Sequence, residues 1–196
     1  MGKIFYLMGK SASGKDRLSA ALRAKFGDAL RPVVMYTTRP IRSGETDGVS
    51  YYFIDEARFS EFQAAGRVIE SRLYHTVHGP WIYATLDDGQ IDLGAHSYLI
   101  TGTLESYLST REYYGKDKVV PLYVDVEDGL RLYRALQRER SQKEPKYAEM
   151  CRRFLADSED FSAEKVAAAD LPRIYVNDRF DRCLAELTAA VREEIP

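Results

Sequence analysis

The chain predicts a three-layer α/β fold, with helices on both faces of a central parallel sheet, and three features of the sequence point there. The apolar run Ile4-Phe5-Tyr6-Leu7-Met8 has the composition of a buried strand, and Leu18, Ala21, Leu22 and Phe26 recur behind it at the spacing of one helical face. The same alternation returns later. Val119 to Val124 is followed by Leu130, Tyr133 and Leu136, and Ile174-Tyr175-Val176 by Phe180, Leu184, Leu187, Ala190 and Val191. Between the first strand and the first helix stands Gly9-Lys10-Ser11-Ala12-Ser13-Gly14-Lys15-Asp16, a loop with glycines at both ends and a lysine at its exit. Strand and helix in alternation are the pattern of a parallel, doubly wound sheet.

That loop carries the first functional reading. Gly9 and Gly14 permit turns that a Cβ obstructs, so successive backbone N–H groups can point inward around phosphate oxygens at a helix N-terminus. Lys15 adds a mobile positive charge for the phosphates. With a strand before it and a helix after it, this is the context of a phosphate-binding loop, and the fold is expected to be of the P-loop NTPase type. The residue after the lysine departs from the motif. A Ser or Thr hydroxyl usually stands there to meet Mg²⁺, and here it is Asp16.

Composition narrows the class. At 196 residues the chain fits one α/β domain with small insertions. No apolar run approaches the length that crosses a bilayer, and the first apolar run reads as a core strand rather than a signal peptide, so no membrane association and a cytoplasmic location are expected. A formal net charge of −2 speaks against nucleic-acid binding driven by basicity, so the arginines have a smaller anionic target. Cys151 and Cys183 lie in helical patterns without metal-ligand spacing and are expected to be buried thiols.

The remaining elements follow in order. Pro32 to Tyr36 reads as a second strand, and Gly44 and Gly48 mark a loop. Tyr51 to Ile54 is a strand, Phe59, Phe62 and Ala65 form one face of a short helix that Gly66 stops, and Val68 to Leu73 and Trp81 to Tyr83 are further strands. So many short strands together suggest an inserted lobe with a small mixed sheet, over 37–96. From Ser97-Tyr98-Leu99-Ile100 the chain returns to strand and helix. Glu139 to Lys146 is charged and holds Pro145, as a mobile loop between helices does, and one long helix is expected from about Tyr147 to Ala169. The core is then 1–36, 97–130 and 170–196, with a helical lid over about 131–169.

Thr37-Thr38-Arg39-Pro40-Ile41-Arg42-Ser43-Gly44-Glu45, followed by Gly48 and Tyr51, is the second motif. Two guanidinium forks and a phenol converging from a loop and the next strand make a phosphate clamp. A single arginine here would read as part of an exposed basic turn paired with Glu45 and Asp47, and the joint pattern speaks against that reading. Taken with the phosphate-binding loop, the segment resembles the guanylate kinases, which move a phosphoryl group from ATP to GMP. The resemblance implies that Thr38, Arg39, Arg42, Tyr51 and Tyr83 hold the acceptor, the arginines and tyrosines at its phosphate. It also implies that Glu70 reads guanine, and a carboxylate does match the two adjacent donors of that base. Tyr83 and Thr85 keep half of the family's Tyr-Tyr-Gly-Thr segment, and the resemblance implies that Thr85 also binds the acceptor, its hydroxyl at the base.

The resemblance covers the chain with departures. Where the family ends a strand in Leu-Asp-Ile-Asp, this chain has Thr101 and Thr103, with Glu105 nearby. Asp16 either ligates Mg²⁺, directly or through water, or caps the helix. Related ribose 1,5-bisphosphate phosphokinases also carry aspartate after the lysine, so a phosphorylated sugar is the second acceptor class to weigh. A non-catalytic protein-binding module is a third reading, and the intact Gly9, Gly14 and Lys15 oppose it. Among the lid arginines Arg134, Arg138, Arg140, Arg152 and Arg153, the family's spacing points best to Arg152, with Ala156 and Glu159 behind it, almost as well to Arg153, and to Arg138 one residue or so out of step. Arg152 and Arg138 would act with Lys15 on the transferring phosphoryl. Asn177-Asp178 matches the pair that lies near the adenine of ATP, and His75 and His78 read as loop histidines. The expected ligands are Mg·ATP and GMP. Oligomeric state is not legible.

Overall fold

The structure, a computed structural model, describes residues 1–42, 44–76 and 79–195; Ser43 and His78, both named above, lie outside the described residues. The central sheet has five parallel strands in the order β2-β7-β1-β8-β9: β1 (Ile4–Met8), β2 (Leu30–Pro32), β7 (Ser97–Gly102), β8 (Val119–Asp125) and β9 (Ile174–Val176). Successive side chains of a strand point to opposite faces, and β1 displays this cleanly. Phe5 and Leu7 pack with Leu18 and Leu22 of α1 (Lys15–Phe26) and with Leu187 and Val191 of α7 (Phe180–Glu194). Ile4, Tyr6 and Met8 pack on the other face with Leu104 and Tyr107 of α3 (Leu104–Tyr114) and with Phe161. Every residue of β1 is thereby buried, as a strand covered on both sides must be.

A second, mixed sheet has the order β4-β3-β6-β5, from β3 (Tyr36–Thr37), β4 (Tyr52–Phe53), β5 (Val68–Thr76) and β6 (Gly79–Leu86). β5 and β6 are antiparallel, with Glu70 opposite Thr85 and Arg72 opposite Tyr83, after an irregularity between Val68 and Glu70. Phe59 and Phe62 of α2 (Glu56–Ala64) pack on Ala84 and Leu86 to give this sheet its own small core. Asp55 caps α2 by accepting the Arg58 N–H. The remaining helices are α4 (Asp128–Arg140), α5 (Tyr147–Asp160) and α6 (Ala163–Ala168).

The expected strand over Pro32 to Tyr36 is two strands, β2 in one sheet and β3 in the other. Between them the side-chain amide of Gln90 accepts from Val34 N and donates to Val34 O, taking the backbone groups that a ladder would otherwise pair. The expected long helix from Tyr147 breaks after Asp160. Phe161 turns into the core and stacks on Tyr123 with centroids 5.5 Å apart, and Ser162 caps α6 by accepting from Lys165 N. The charged loop after α4 begins at Ser141, and Glu139, instead of belonging to it, is buried and accepts the Lys146 N–H at 2.6 Å. Cys183 is buried as expected, whereas Cys151 is exposed on α5.

Candidate active site

The loop between β1 and α1 is shaped as its glycines require. Gly14, at φ +89°, occupies the left-handed region, and a Cβ there would meet Asn177 Nδ2 at 2.5 Å; a Cβ on Gly9 would meet Val124 O at 2.4 Å. Asn177 is buried, donates from its amide to Ser13 O at 2.7 Å and from its backbone N–H to Asp125 O. It braces the loop from below rather than lining the cleft above it.

Lys15 opens α1, its Nζ 3.5 Å from Asp16 Oδ1. Asp16 lies in the first turn, makes no capping hydrogen bond, and has an almost fully exposed side chain at the mouth of the cleft. The capping alternative therefore has no counterpart here. Among the described residues no group of three His, Cys, Asp or Glu side chains is placed to hold a metal ion. One exposed carboxylate beside a phosphate-binding loop suits Mg²⁺ that arrives already held by phosphate oxygens and water.

The loop faces the mixed sheet across a cleft of about 460 Å³, whose walls include Gly9, Ser11, Lys15 and Asp16 on one side and Arg39, Arg42, Tyr51, Glu70 and Tyr83 on the other. Arg39 is buried against Tyr51 and Phe53. Its Nε donates to Tyr83 Oη at 3.1 Å, Nη1 to Pro40 O and Glu45 Oε2, and Nη2 to Glu45 Oε1 at 2.6 Å. Four of five guanidinium hydrogens are thus engaged, so Arg39 offers a ligand one hydrogen where the sequence suggests a fork. The pair with Glu45 exists, but it is sheltered, not an exposed turn. Those hydrogen bonds, with a further one from Arg42 N, hold the Glu45 carboxyl down at about 2. Arg42 itself is exposed, with its guanidinium 6.0 Å from the Trp81 ring. Tyr51 and Tyr83 meet edge to face at 5.7 Å.

Glu70 is buried at the other end of the cleft, accepting from Thr85 Oγ1 at 2.7 Å. Burial raises its carboxyl above the ordinary glutamate value, the Thr85 and Ser106 hydroxyls oppose that rise, and the Glu105 charge adds to it. Thr85 therefore orients Glu70. Thr38 serves the sheet, its Oγ1 accepting from Ile82 N. Thr103 caps α3 by accepting from Ser106 N, which explains a hydroxyl at that position locally.

The third wall comes from α5. Arg152 lines the cleft with a doubly hydrogen-bonded Glu149 partner, Arg153 donates to Ser11 Oγ at 3.0 Å, and Asp157 accepts from Ser11 N at 2.8 Å. Arg138 stays exposed on α4, outside the cleft lining. The arginine of α4 that matters for packing is Arg131, which the sequence did not single out. It is buried over the Phe154 ring at 3.9 Å and paired with Asp128 and Asp157. Its only sequence signal is the i, i+3 spacing from Asp128.

Known proteins match this arrangement. A family model described as guanylate kinase matches residues 1–85, which hold the loop and most of the mixed sheet. A guanylate kinase of Methylobacillus flagellatus is 30% identical over 199 residues, covering 98% of this chain and 90% of that protein. One of Alkalilimnicola ehrlichii is 31% identical over 192 residues, covering 96% and 87%. The crystal structure of guanylate kinase from Anaplasma phagocytophilum covers 99% of this chain and 86% of that one, with a TM-score of 0.66 at 21% identity, a likeness of fold. Relatives of at least 30% identity thus match nearly the whole of this chain, and the chain belongs to the guanylate kinase family.

Proposed function

We propose that the protein transfers the γ-phosphoryl group of Mg·ATP to GMP, giving ADP and GDP. The observation that carries this reading is the single cleft lined by the phosphate-binding loop on one wall and by Arg39, Arg42, Tyr51, Tyr83 and Glu70 on the opposite one. Donor and acceptor phosphates then meet between two cationic walls. The core at 1–36, 97–130 and 170–196, the acceptor lobe at 37–96 and the lid at about 131–169 are the working parts of the same reading.

The backbone N–H groups of the loop other than those of Ser11 and Ser13, which Asp157 and Lys10 O already engage, take the ATP phosphates at the start of α1 together with the Lys15 ammonium. Asp16, beside Lys15 at the mouth of the cleft, would help to hold magnesium brought with ATP, which would neutralise charge on the transferring group. Arg42, Tyr51 and Tyr83, with the remaining Arg39 hydrogen, orient the acceptor phosphate. No general base is required, because that phosphate is already an anionic nucleophile. Catalysis is therefore positioning and charge stabilisation, with Arg152 supplying the lid's cation and Arg138 able to contribute only after the lid moves. Glu70 accepts from the guanine pairing edge. Neither the sugar-phosphate acceptor nor the non-catalytic module is favoured by these two relatives, which carry the guanylate kinase name.

The direct test follows labelled phosphoryl from γ-labelled ATP. Label appearing in GDP supports the reading, and label found only in inorganic phosphate removes it.

A further inference from the structure

The cleft contains a cation that phosphate handling leaves unused. Arg72 lies on β5 two residues from Glu70, on the same face of the strand, opposite Tyr83 of β6. Its Nη2 is held by Asp160 at the end of α5 at 2.5 Å, and the guanidinium lies 5.1 Å from the Tyr74 ring centroid. Its Nη1 is fully buried and has no hydrogen-bond partner among the described residues. The Glu105 carboxylate stands 3.9 Å away, beyond hydrogen-bond reach. A buried charged donor without an acceptor is costly, so a position held this firmly calls for a ligand that brings the acceptor.

We propose that Arg72 is a specificity-determining residue that donates from Nη1 to the 6-oxo oxygen of the acceptor purine. The proposal rests on the GMP reading above. Glu70 takes the N1–H and 2-amino donors of guanine, and the next group along that edge is the carbonyl at position 6. Residues two apart on a strand are separated by about 7 Å and share a face, so the two side chains can reach neighbouring groups on one edge of the same purine. Glu70 and Arg72 then present acceptor and donor in the order that guanine presents donor and acceptor. Adenine sets a 6-amino donor against the Arg72 donor, so the guanidinium disfavours it. Thr103 does not take this part, because its hydroxyl caps α3.

The test compares kcat/KM for GMP and 6-thio-GMP, whose sulfur is a weaker acceptor than oxygen, in the wild type, Arg72→Met and Arg72→Lys, with ATP as donor. The wild type is expected to prefer GMP by roughly fivefold or more, and Arg72→Met to lose that preference to within about twofold while the KM for ATP holds. Arg72→Lys keeps a cation beside Asp160 and is expected to retain part of the preference, which separates the ligand contact from loss of the ion pair and serves if the methionine variant folds poorly. The same preference in all three proteins overturns the proposal. A wild type inactive on GMP overturns the functional reading itself, and the two failures are thereby told apart.

Discussion

The carboxylate of Asp157, on α5, accepts the backbone N–H of Ser11 in the phosphate-binding loop at 2.8 Å and an Arg131 N–H at 3.2 Å through the same oxygen. One side chain thus ties α4, α5 and the loop together. Asp157→Ala deprives a loop N–H of its acceptor and a buried guanidinium of one of its two carboxylates. The expected loss is about 1–3 kcal/mol of stability, or roughly 3 °C of Tm per kcal/mol for a chain of this length. Thermal unfolding without nucleotide measures it, and an unchanged Tm contradicts the role.

Lys15→Ala is expected to lower phosphoryl transfer by about 10²-fold or more while leaving Tm unchanged, because among the described residues the side chain's one ion pair is with the exposed Asp16. Steady-state turnover beside a melting curve checks both halves. Near-normal turnover would remove the loop from the mechanism.

Glu45 gives a pH signature. Its folded pKa is depressed, chiefly by the Arg39 hydrogen bonds, so the stability it contributes is complete above the ordinary value of 4.5 and is lost as pH falls toward about 2. Tm is expected to fall more steeply across that window in the wild type than in Glu45→Gln. Parallel curves would mean that the pair contributes nothing.

Glu70 behaves in the opposite sense. Burial raises its carboxyl, so as pH falls it takes up a proton before an ordinary glutamate does, and a protonated carboxyl presents a donor to the guanine donors. The KM for GMP is expected to rise with acidification from above the usual carboxylate range while the KM for ATP changes less. Glu70→Gln should flatten that rise and raise the KM for GMP at neutral pH.

Asp16→Ser restores the hydroxyl usual in such loops. If the carboxylate assists bound magnesium, the Mg²⁺ concentration for half-maximal activity shifts on substitution. Superimposable magnesium curves for the two proteins would exclude a metal role for Asp16.

What was legible in the sequence was whatever depends on local pattern. The strand, glycine loop and helix from Ile4 to Phe26 follow from apolar spacing and the glycine positions, and they stand as expected. That Arg39, Arg42, Tyr51, Glu70 and Tyr83 share one cleft was foreseeable from motif spacing, yet their partners were not. That Arg39 gives most of its donors to Glu45 and Tyr83, that Glu70 is buried beneath Thr85, and that Asn177 braces the loop are all long-range facts. Val33 and Val34 carried the composition of a strand, but the Gln90 side chain, remote in sequence, decided that the chain crosses between sheets there. Phe161 looked like one more apolar helical residue until Tyr123 offered it a stacking partner. Arg72 gave no local signal, and Arg131 only its spacing from Asp128, since each acquires its meaning from a carboxylate on α5, remote in sequence.

The central claim is that one cleft joins ATP to a guanine nucleotide. The most direct measurement is ADP formation from ATP with GMP, AMP, CMP, UMP and ribose 1,5-bisphosphate as competing acceptors in one mixture, with products resolved by mass. The account predicts GDP as the dominant product. Phosphorylated ribose bisphosphate as the main product, or no preference among the nucleotides, would contradict it.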